Sequence, residues 1–398
     1  MGAVSPLGQD VASLVEGIEA GRSGVRFMEG WDRYVGLRSL VAAPAELKNE
    51  TRIPRQSRRS MSRMSIHAVQ ASQQALADAG IPESDVSAGG VGCIIGSTMG
   101  SAGAINDSFE LMLPSHDLSN MPSTQFFRCV SHTAVMNVAQ FLGVRGLVMA
   151  PAAACASGLQ AIGLGYELIR AGRQSLVLCG GAEELHPTVT GSFDVLFATS
   201  TRYNQTPDQT PRPFDKERDG LVCGEGCGVV MVEDYEHALR RQAQIYAEIV
   251  GFCTCSSGDH VSQSNSPAMV RAMRGALEDA GLAPEAVDYV SAHATGTTQG
   301  DKAEADAIRE VFGGGVPVSS LKGYIGHTLG ASGAIELIAA LAMMQKGIVY
   351  PTRNLETVDP ECGGIRHVLK VESKDIHFLL KNSFAFGGIN AALICRKV

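Results

Sequence analysis

The chain is poor in charged residues, and those it has are mostly acidic. Only 19 % of its 398 residues are charged, whereas 45 % are hydrophobic. This composition excludes a disordered chain and is typical of a globular protein with a large core. The net charge of −8 argues against general nucleic-acid binding, although a local basic patch is still compatible with it.

Long apolar runs and a leader peptide are also missing. No stretch of about eighteen apolar residues occurs, so we expect no membrane span. The N-terminus lacks the basic and then apolar pattern of a signal peptide. The ten cysteines are scattered, which indicates reduced thiols and a cytoplasmic protein. The close pairs Cys223/Cys227 and Cys253/Cys255 have no second pair at zinc-site spacing, so we expect no metal.

Nucleotide-binding motifs are absent as well. A glycine-rich segment, 97–101, follows a predicted buried strand at 91–96. It matches neither G-x-G-x-x-G nor a P-loop that ends in Gly-Lys-Ser/Thr. We therefore reject a nucleotide site there.

What is present is a cysteine between a strand and a helix. Residues 147–150 form a short apolar strand, and an apolar helix runs to about residue 171 after Cys155. A helix N-terminus stabilises a thiolate and lowers its pKa, and a sharp strand-to-helix turn presents a nucleophile. The glycines of this helix indicate close packing against a neighbour. The pattern alone leaves open that Cys155 is an inert core residue.

Predicted strands and helices alternate along the chain, which indicates an α/β protein with largely parallel strands. We place a boundary between two halves, 1–243 and 244–398, and find no sequence repeat. His293, Lys322 and His327 follow predicted strands of the second half, where open α/β sheets bind ligands. Together with a nucleophilic Cys155, they suggest chemistry on a thioester or acyl group.

Six groups of residues carry a family resemblance. They are 154–158 (Ala-Cys-Ala-Ser-Gly), 180–183 (Gly-Gly-Ala-Glu), 212–215 and 218–220 (Arg-Pro-Phe-Asp and Arg-Asp-Gly), 293–297 with 300–301 (His-Ala-Thr-Gly-Thr and Gly-Asp), Lys322 with 326–331 (Gly-His-Thr-Leu-Gly-Ala), and 382–384 with 386–388 (Asn-Ser-Phe and Phe-Gly-Gly). With these motifs the chain resembles, over essentially its whole length, the elongating β-ketoacyl-[acyl carrier protein] synthases of the thiolase superfamily.

The resemblance implies a thiolase fold, in which two similar α/β halves stack as five αβαβα layers. It implies a decarboxylative Claisen condensation of an acyl group with malonyl-[acyl carrier protein], in fatty acid or related polyketide or aryl-polyene biosynthesis. The implied partners are an acyl carrier protein and malonyl and acyl thioesters. No cofactor is implied beyond the carrier's phosphopantetheine, and the implied assembly is a homodimer, with a heterodimer as the alternative.

The resemblance also assigns catalytic roles. Cys155 carries the acyl group, and the backbone N–H groups of Cys155 and Phe386 bind the oxyanion. His293 and His327 assist decarboxylation. Lys322 is expected to pair with Glu304 and set the local field, or else to form a purely structural salt bridge.

Three sets of binding residues follow from the same resemblance. They are Thr295 and Thr297 for the phosphopantetheine arm, Met99 and Phe193 for the acyl pocket, and Arg55, Arg59 and Arg128 for carrier-protein docking. The two arginines Arg55 and Arg59 belong to a basic cluster at 52–63, whose simpler interpretation is a solvated helix face.

The chain departs from the family pattern at several motif positions, namely Ala153, Ala294, Gly296, Thr298, Ala385 and Ile389. Ala385 replaces a glycine of the loop that carries Phe386 and is expected to stiffen that loop. These departures, with the 31–37 segment, suggest a specialised acyl or aryl-polyene subgroup.

Other functions are weighed against these residues. A non-elongating partner subunit of a ketosynthase heterodimer would lack the cysteine that is present here. A coenzyme A thiolase or a decarboxylase is a second rival, and a thiolase needs a second cysteine that Cys395 does not match. A non-catalytic scaffold for carrier proteins does not explain the Cys/His/His/Lys set.

The N-terminus carries a further expectation. Family members begin with a strand that feeds the Gly-x-Val-Ser-Pro-Leu-Gly loop, whereas this chain starts on that loop at Met1. We expect the first strand to be lacking and the natural chain to start roughly ten residues earlier, the length of a strand and its lead-in. A truncation tolerated by a large dimer is the alternative.

Overall fold

The computed structural model describes residues 1–113, 115–261 and 263–398. Its strands are β1 (Gly2–Val4), β2 (Arg26–Phe27), β3 (Val41–Ala42), β4 (Val91–Gly96), β5 (Val148–Met149), β6 (Leu176–Glu183), β7 (Gly226–Glu233), β8 (Glu248–Ser256), β9 (Tyr289–Ser291), β10 (Pro317–Ser319), β11 (Ile348–Val349), β12 (Arg366–His367), β13 (Glu372–Ser373), β14 (Phe378–Phe384) and β15 (Ile389–Arg396). Its α-helices are α1 (Val11–Glu19), α2 (Arg55–Arg58), α3 (Arg63–Ala79), α4 (Glu83–Ser87), α5 (Ala102–Met112), α6 (Gln125–Cys129), α7 (Thr133–Leu142), α8 (Ser157–Arg170), α9 (Pro187–Asp194), α10 (Tyr235–Arg240), α11 (Ser266–Ala280), α12 (Thr298–Phe312), α13 (Lys322–Ile325) and α14 (Ser332–Lys346).

Two large sheets and three helical layers build the molecule, and the pairs β2-β3 and β11-β13 form two small sheets beside them. The first sheet has the order β1-β7-β6-β4-β5, and the second has the order β12-β10-β9-β14-β15-β8. Helices α8 and α14 lie between the sheets, α3 and α7 cover the first sheet outside, and α11 and α12 cover the second. The predicted αβαβα thiolase fold is confirmed. No helix in the described part of the chain is long and apolar enough to cross a bilayer.

The expectation of largely parallel strands is wrong, because both sheets are mixed. In the first sheet β6, β4 and β5 run parallel, but β7 is antiparallel to both β1 and β6. In the second sheet β15 is antiparallel to β14 and β8. The four-residue connection between β14 and β15 is too short for a parallel crossover, so this pair had to be antiparallel.

The two halves share a structural feature that the sequence analysis did not predict. A three-residue 3₁₀ turn precedes each central helix, Ala154–Ala156 before α8 and Leu329–Ala331 before α14. Ala154 and Leu329, the first residues of these turns, both have φ of 47°. A non-glycine residue in this left-handed region costs about 1–2 kcal/mol, so both halves store strain at the same point. All first-sheet strands precede residue 234 and all second-sheet strands follow residue 247, while the boundary at 243/244 stays a prediction.

The glycines of α8 pack as expected against close neighbours. A Cβ at Gly163 would lie 2.2 Å from the Phe252 ring, and one at Gly158 would lie 2.7 Å from the Gly330 carbonyl oxygen. Because Gly330 belongs to the turn before α14, this contact brings the starts of the two central helices together. Cys155 and His327 therefore meet at one end of the central layer.

The predicted lack of a first strand is wrong, because Gly2–Val4 form β1 at the edge of the first sheet. Gly2 lies opposite Val229 of β7, and a Cβ at Gly2 would lie 2.0 Å from the Ala71 carbonyl oxygen, so only glycine fits there. Beyond this pairing, residues 230–233 of β7 border a cavity of about 570 Å³ that Met1 also lines. The expected earlier start of the natural chain stays a prediction.

Candidate active site

Cys155 lies in the 3₁₀ turn at the start of α8, where the chain reverses sharply. The Ser157 hydroxyl fixes this turn by accepting from the Ala153 N–H (2.9 Å) and donating to the Ala154 carbonyl (2.7 Å). Cys155 itself is only 2 % exposed. The structure therefore confirms the predicted position of this cysteine at a strand-to-helix junction.

Three groups surround the Cys155 sulfur. His327 Nε2 lies 3.0 Å from Sγ, and the backbone N–H groups of Cys155 and Phe386 hydrogen-bond the sulfur and lower its pKa. Burial has the larger and opposite effect, and the pKa of Cys155 is raised to about 12. The predicted lowering of this pKa is therefore wrong, because loss of water around a thiolate outweighs the dipole of the helix N-terminus.

His293 and His327 lie at the end of the pocket that holds Cys155. Their ring centroids are 5.2 Å apart and their planes are nearly perpendicular, at 82°. The His327 main chain is fixed by its N–H, which donates to the Val222 carbonyl at 2.7 Å. Burial, followed by the Lys322 charge, holds the pKa of both histidines well below the ordinary value, so both rings are neutral at neutral pH.

The predicted pair between Lys322 and Glu304 is wrong. Lys322 Nζ lies 2.6 Å from Glu336 Oε1 in the central helix α14 and 3.5 Å from His293 Nδ1. Glu304 lies on the outer helix α12, where it accepts the N–H groups of His293 (2.8 Å) and Ala294 (2.6 Å). Glu304 therefore holds the backbone that carries His293, and Glu336 holds the lysine.

Glu336 was missed in the sequence. It is a lone acidic residue in the apolar helix α14 and is fully buried. A buried carboxylate must have a cationic partner, and a lone acidic residue in an apolar helix is the signal that could have identified Glu336 from the sequence. Its second partner is Lys381 of β14, which sequence reasoning also missed.

A narrow pocket of about 60 Å³ opens onto these groups. It is lined by Cys155, His293, His327, Thr295, Thr297, Phe384, Phe386, Ser257, Asn265 and Asn390, among others. The Thr295 and Thr297 hydroxyls are 3.1 Å apart and lie on the same wall. The structure thus brings the predicted phosphopantetheine residues to the pocket that holds the sulfur.

Comparison with known proteins decides the family. Residues 1–238 match the family model for the β-ketoacyl synthase N-terminal domain, and residues 246–356 match that for the C-terminal domain. The chain belongs to the β-ketoacyl synthase family. The predicted family and its enzyme class, an acyltransferase that forms 3-oxoacyl thioesters, are confirmed.

The synthase is similar to known proteins over its whole length. It is 35 % identical to 3-oxoacyl-[acyl-carrier-protein] synthase 1 of Escherichia coli K12 over 400 residues, which cover 100 % of this chain and 98 % of the relative. A β-ketoacyl synthase structure from Burkholderia phymatum superposes with a TM-score of 0.96 at 44 % identity, over 100 % and 98 % of the two chains. A type II polyketide ketosynthase in complex with its acyl-carrier protein, AntDE:AntF, superposes with a TM-score of 0.91 at 32 % identity, over 100 % and 98 %.

The predicted acyl-pocket residues of the synthase lie in different surroundings. Phe193 packs against the apolar cluster around Cys155, and its ring centroid is 5.9 Å from that of Phe386. Met99 is 50 % exposed and is not among the described members of that cluster. Ala385 also packs against the cluster and does not have a positive φ, so alanine replaces glycine there without backbone strain.

The basic cluster of the synthase divides into two groups. Arg63 forms an ion pair with buried Glu225, and Arg58 Nε donates to the Ile53 carbonyl at 3.0 Å, so these two serve the local fold. Arg55 and Arg59 are exposed at the two ends of α2. Arg128 lies on another helix, α6, partly buried and with Nη1 3.4 Å from Gln125 Oε1.

Cys155, His293 and His327 also have the spacing of a metal site. One ligand atom each from Cys155, His293 and His327 lie within 4.8 Å of one another, a grouping found among the described residues. Thiolate and imidazole are donors that zinc accepts. The expectation that no metal is bound stays a prediction.

Proposed function

We propose that this synthase transfers an acyl group to Cys155 and condenses it with malonyl-[acyl carrier protein], giving 3-oxoacyl-[acyl carrier protein] and carbon dioxide. One observation carries the proposal. The Cys155 sulfur lies 3.0 Å from His327 Nε2, with the neutral His293 ring beside it and two backbone N–H groups directed at the sulfur. A nucleophile, an oxyanion site and two uncharged imidazoles thus share one buried pocket.

The first half-reaction is acyl transfer. The Cys155 thiol adds to the carbonyl of the incoming thioester, and the backbone N–H groups of Cys155 and Phe386 stabilise the tetrahedral oxyanion. Because the thiol pKa is raised, a base must remove the proton during attack. His327 Nε2 is within reach, and it passes this proton to the departing pantetheine sulfur.

The two histidines differ in how their tautomers are fixed. An ammonium has only donors, so His293 Nδ1 facing Lys322 Nζ must be an acceptor, and the His293 proton lies on Nε2. His327 Nδ1 is buried without a hydrogen-bond partner in the described part of the chain. His327 can therefore accept a proton at Nε2 in the first half-reaction and donate one from Nε2 in the second.

The second half-reaction is decarboxylative condensation. Loss of carbon dioxide from the malonyl thioester leaves its bonding electron pair on carbon, and the resulting enolate oxygen accepts from the Nε2–H groups of His293 and His327. The carbanion then forms a carbon–carbon bond to the acyl carbonyl, and the bond to the Cys155 sulfur breaks. The released thiolate takes one proton from solvent, because loss of carbon dioxide from the malonyl carboxylate consumes one proton overall, and this restores the thiol.

Incubation of the enzyme with acyl- and malonyl-carrier proteins tests the function. We expect equal amounts of carbon dioxide and 3-oxoacyl-carrier protein by mass spectrometry. A panel of acyl chain lengths then tests the specialised acyl subgroup, for which Ala385 beside the acyl cluster is the support. Carbon dioxide without condensed product would instead favour a decarboxylase, and no turnover would favour a non-elongating partner subunit.

We propose that the substrate binds along the same pocket, from the Cys155 sulfur outward to the protein surface. Thr295 and Thr297 hydrogen-bond the phosphopantetheine arm at the pocket wall. Phe193, which packs against the apolar cluster around Cys155, borders the acyl chain, and Met99 borders it from its half-exposed position outside that cluster. Arg55, Arg59 and Arg128 receive the acyl carrier protein. These arginines give an otherwise acidic chain a local positive surface for an acidic partner.

Reversal of charge at Arg55 and Arg59 is expected to raise KM for the carrier protein. Exposed charges steer association, so the loss in the Arg55→Glu, Arg59→Glu variant is larger at low salt than at high salt. The matched control is Arg173→Glu with Arg240→Glu, which changes the same charge at exposed positions; Arg173 follows the far end of α8. Equal KM values for the two variants at low ionic strength would favour the simpler interpretation of the cluster, a solvated helix face.

The assembly is proposed to be a homodimer of cytoplasmic subunits. Strand β5 is an open edge of the first sheet, and its Val148 and Met149 are 44 % and 38 % exposed. On α6, Phe126 is 66 % exposed, so an apolar surface accompanies the open edge. A second copy related by a two-fold axis covers both surfaces. The ten cysteines are free thiols, which fits a reducing compartment.

Sedimentation tests the dimer. We expect a mass twice that of the 41.9 kDa chain, and a shift toward the monomer on Met149→Lys. The matched control is Leu239→Lys, an equally exposed apolar residue on α10. A monomer that gains activity only with a different subunit would establish the heterodimer instead.

A further inference from the structure

A second buried lysine, Lys381, has no role in the mechanism derived above. It lies in the middle of β14, directly after Leu379 and Leu380, and is fully buried. Its Nζ lies 2.5 Å from Glu336 Oε2, 3.3 Å from the Ala292 carbonyl and 3.5 Å from the Ser291 carbonyl. A charge removed from water must be compensated, and here all three compensating groups lead to the catalytic histidine.

One carboxylate holds two lysines. Glu336 Oε1 accepts from Lys322 and Oε2 accepts from Lys381, so each oxygen has its own cation. Because Oε2 is engaged by Lys381, Glu336 does not turn both oxygens toward Lys322. Lys322 Nζ is thereby left at 3.5 Å from His293 Nδ1, where it fixes the His293 tautomer.

The strand β14 also holds the His293 segment from two sides. Consecutive strand residues point to opposite faces, so Lys381 reaches the central layer while Asn382 reaches the outer one. Lys381 binds the Ser291 and Ala292 carbonyls, which directly precede His293. Asn382 Nδ2 donates at 3.1 Å to Glu304 Oε1, the same oxygen that accepts the His293 N–H.

We propose that Lys381 is a positioning residue for decarboxylation, acting through Glu336 and Lys322 to keep the Nε2–H of His293 directed at the enolate. The inference rests on the proposed role of His293. It predicts an effect on one half-reaction only, because Lys381 touches neither Cys155 nor the N–H groups at the sulfur in the described contacts. Acyl transfer to Cys155 does not depend on the His293 tautomer.

The variant Lys381→Met removes the ammonium and keeps an unbranched side chain. We expect kcat for carbon dioxide release from malonyl-carrier protein to fall about 10- to 100-fold, the scale on which small misplacements of a catalytic group act. KM and the rate of acyl transfer to Cys155 stay near the wild-type values. The matched control is Lys370→Met, the same substitution at an exposed lysine.

A double-mutant cycle with Glu336→Gln separates this role from a structural one. If Lys381 acts through Glu336, the Lys381→Met change has little further effect once Glu336 is Gln, and the double variant decarboxylates like Glu336→Gln alone. The double variant removes the charges of Lys381 and Glu336 together and leaves Lys322. It is compared with Glu336→Gln should Lys381→Met not fold.

Three outcomes would overturn the inference. Wild-type decarboxylation in folded Lys381→Met is one, an equal loss of acyl transfer and decarboxylation is the second, and additive losses in the cycle are the third. The absence of carbon dioxide release from the wild-type enzyme would instead refute the proposed function, so the two failures are distinguishable.

Discussion

Replacement of Cys155 by alanine is expected to abolish condensation while decarboxylation of malonyl-carrier protein continues. The sulfur is the acyl carrier, so its removal costs at least about 10⁴-fold in condensation, the scale of losing a catalytic nucleophile. The enolate is held by His293 and His327, whose positions are fixed by Glu304, Lys322 and the backbone, not by the thiol. Carbon dioxide release and 3-oxoacyl product are measured in the same samples.

Cys223→Ala is the matched control for this prediction. Cys223 is also buried and is bridged along the backbone to His327, and burial raises its pKa to about 12, as it does for Cys155. Unlike Cys155, it has no assigned role. We expect Cys223→Ala to retain condensation. Condensation that persists in Cys155→Ala, or is lost equally in both variants, would contradict the assignment of the nucleophile.

Substitution of the histidines is expected to divide the two half-reactions. His293→Ala removes one enolate donor and lowers decarboxylation by about 10²–10³-fold, the range found for a lost oxyanion donor, while acyl transfer to Cys155 continues. His327→Ala lowers both half-reactions, because His327 Nε2 also lies 3.0 Å from the sulfur. Acyl transfer is measured by the mass of the acylated enzyme, and decarboxylation by released carbon dioxide.

The control for the histidine variants is His377→Ala, at an exposed position. The pH dependence gives a second check on His293. Because burial keeps the pKa values of His293 and His327 well below 6.5, the ordinary value for histidine, decarboxylation is not expected to change as the pH passes through that value. Identical losses in both half-reactions for His293→Ala and His327→Ala would contradict the separate roles.

The sequence was sufficient to predict the elements whose signal lies in neighbouring residues. The buried strand at 91–96 and the helix after Cys155 were predicted nearly to the residue, because each is a continuous apolar stretch that ends at turn residues. The sequence also grouped Cys155, His293 and His327, since each follows a predicted strand. The strands belong to two different sheets, and the contact between the starts of α8 and α14 is what brings Cys155 to His327.

The sequence was insufficient to predict which charged residues pair when they lie on different elements. Glu304 lies 18 positions before Lys322 and Glu336 lies 14 positions after it, and only the layer order shows that Glu336 lies on the central helix. Likewise, Lys381 could be recognised as unusual inside an apolar strand, but its partners come from α14 and the end of β9, far away in sequence.

The sequence also could not show which of two opposing effects on a pKa is the larger. A helix N-terminus lowers a thiol pKa, yet complete burial of Cys155 raises it to about 12, and only the structure shows which effect is larger. The backbone strain at Ala154 and Leu329 could not be predicted from the sequence either, because neither residue type favours a positive φ. The equivalence of the two halves therefore emerges from backbone geometry.

The central claim is that Cys155 alone carries the acyl group. The most direct test exposes the wild-type enzyme to acyl-carrier protein without malonyl-carrier protein, then digests it and locates the acyl group by peptide mass spectrometry. We predict one acyl adduct, on Cys155, that disappears when malonyl-carrier protein is added and 3-oxoacyl product forms. An adduct on any other of the ten cysteines, or none on Cys155, would contradict the account.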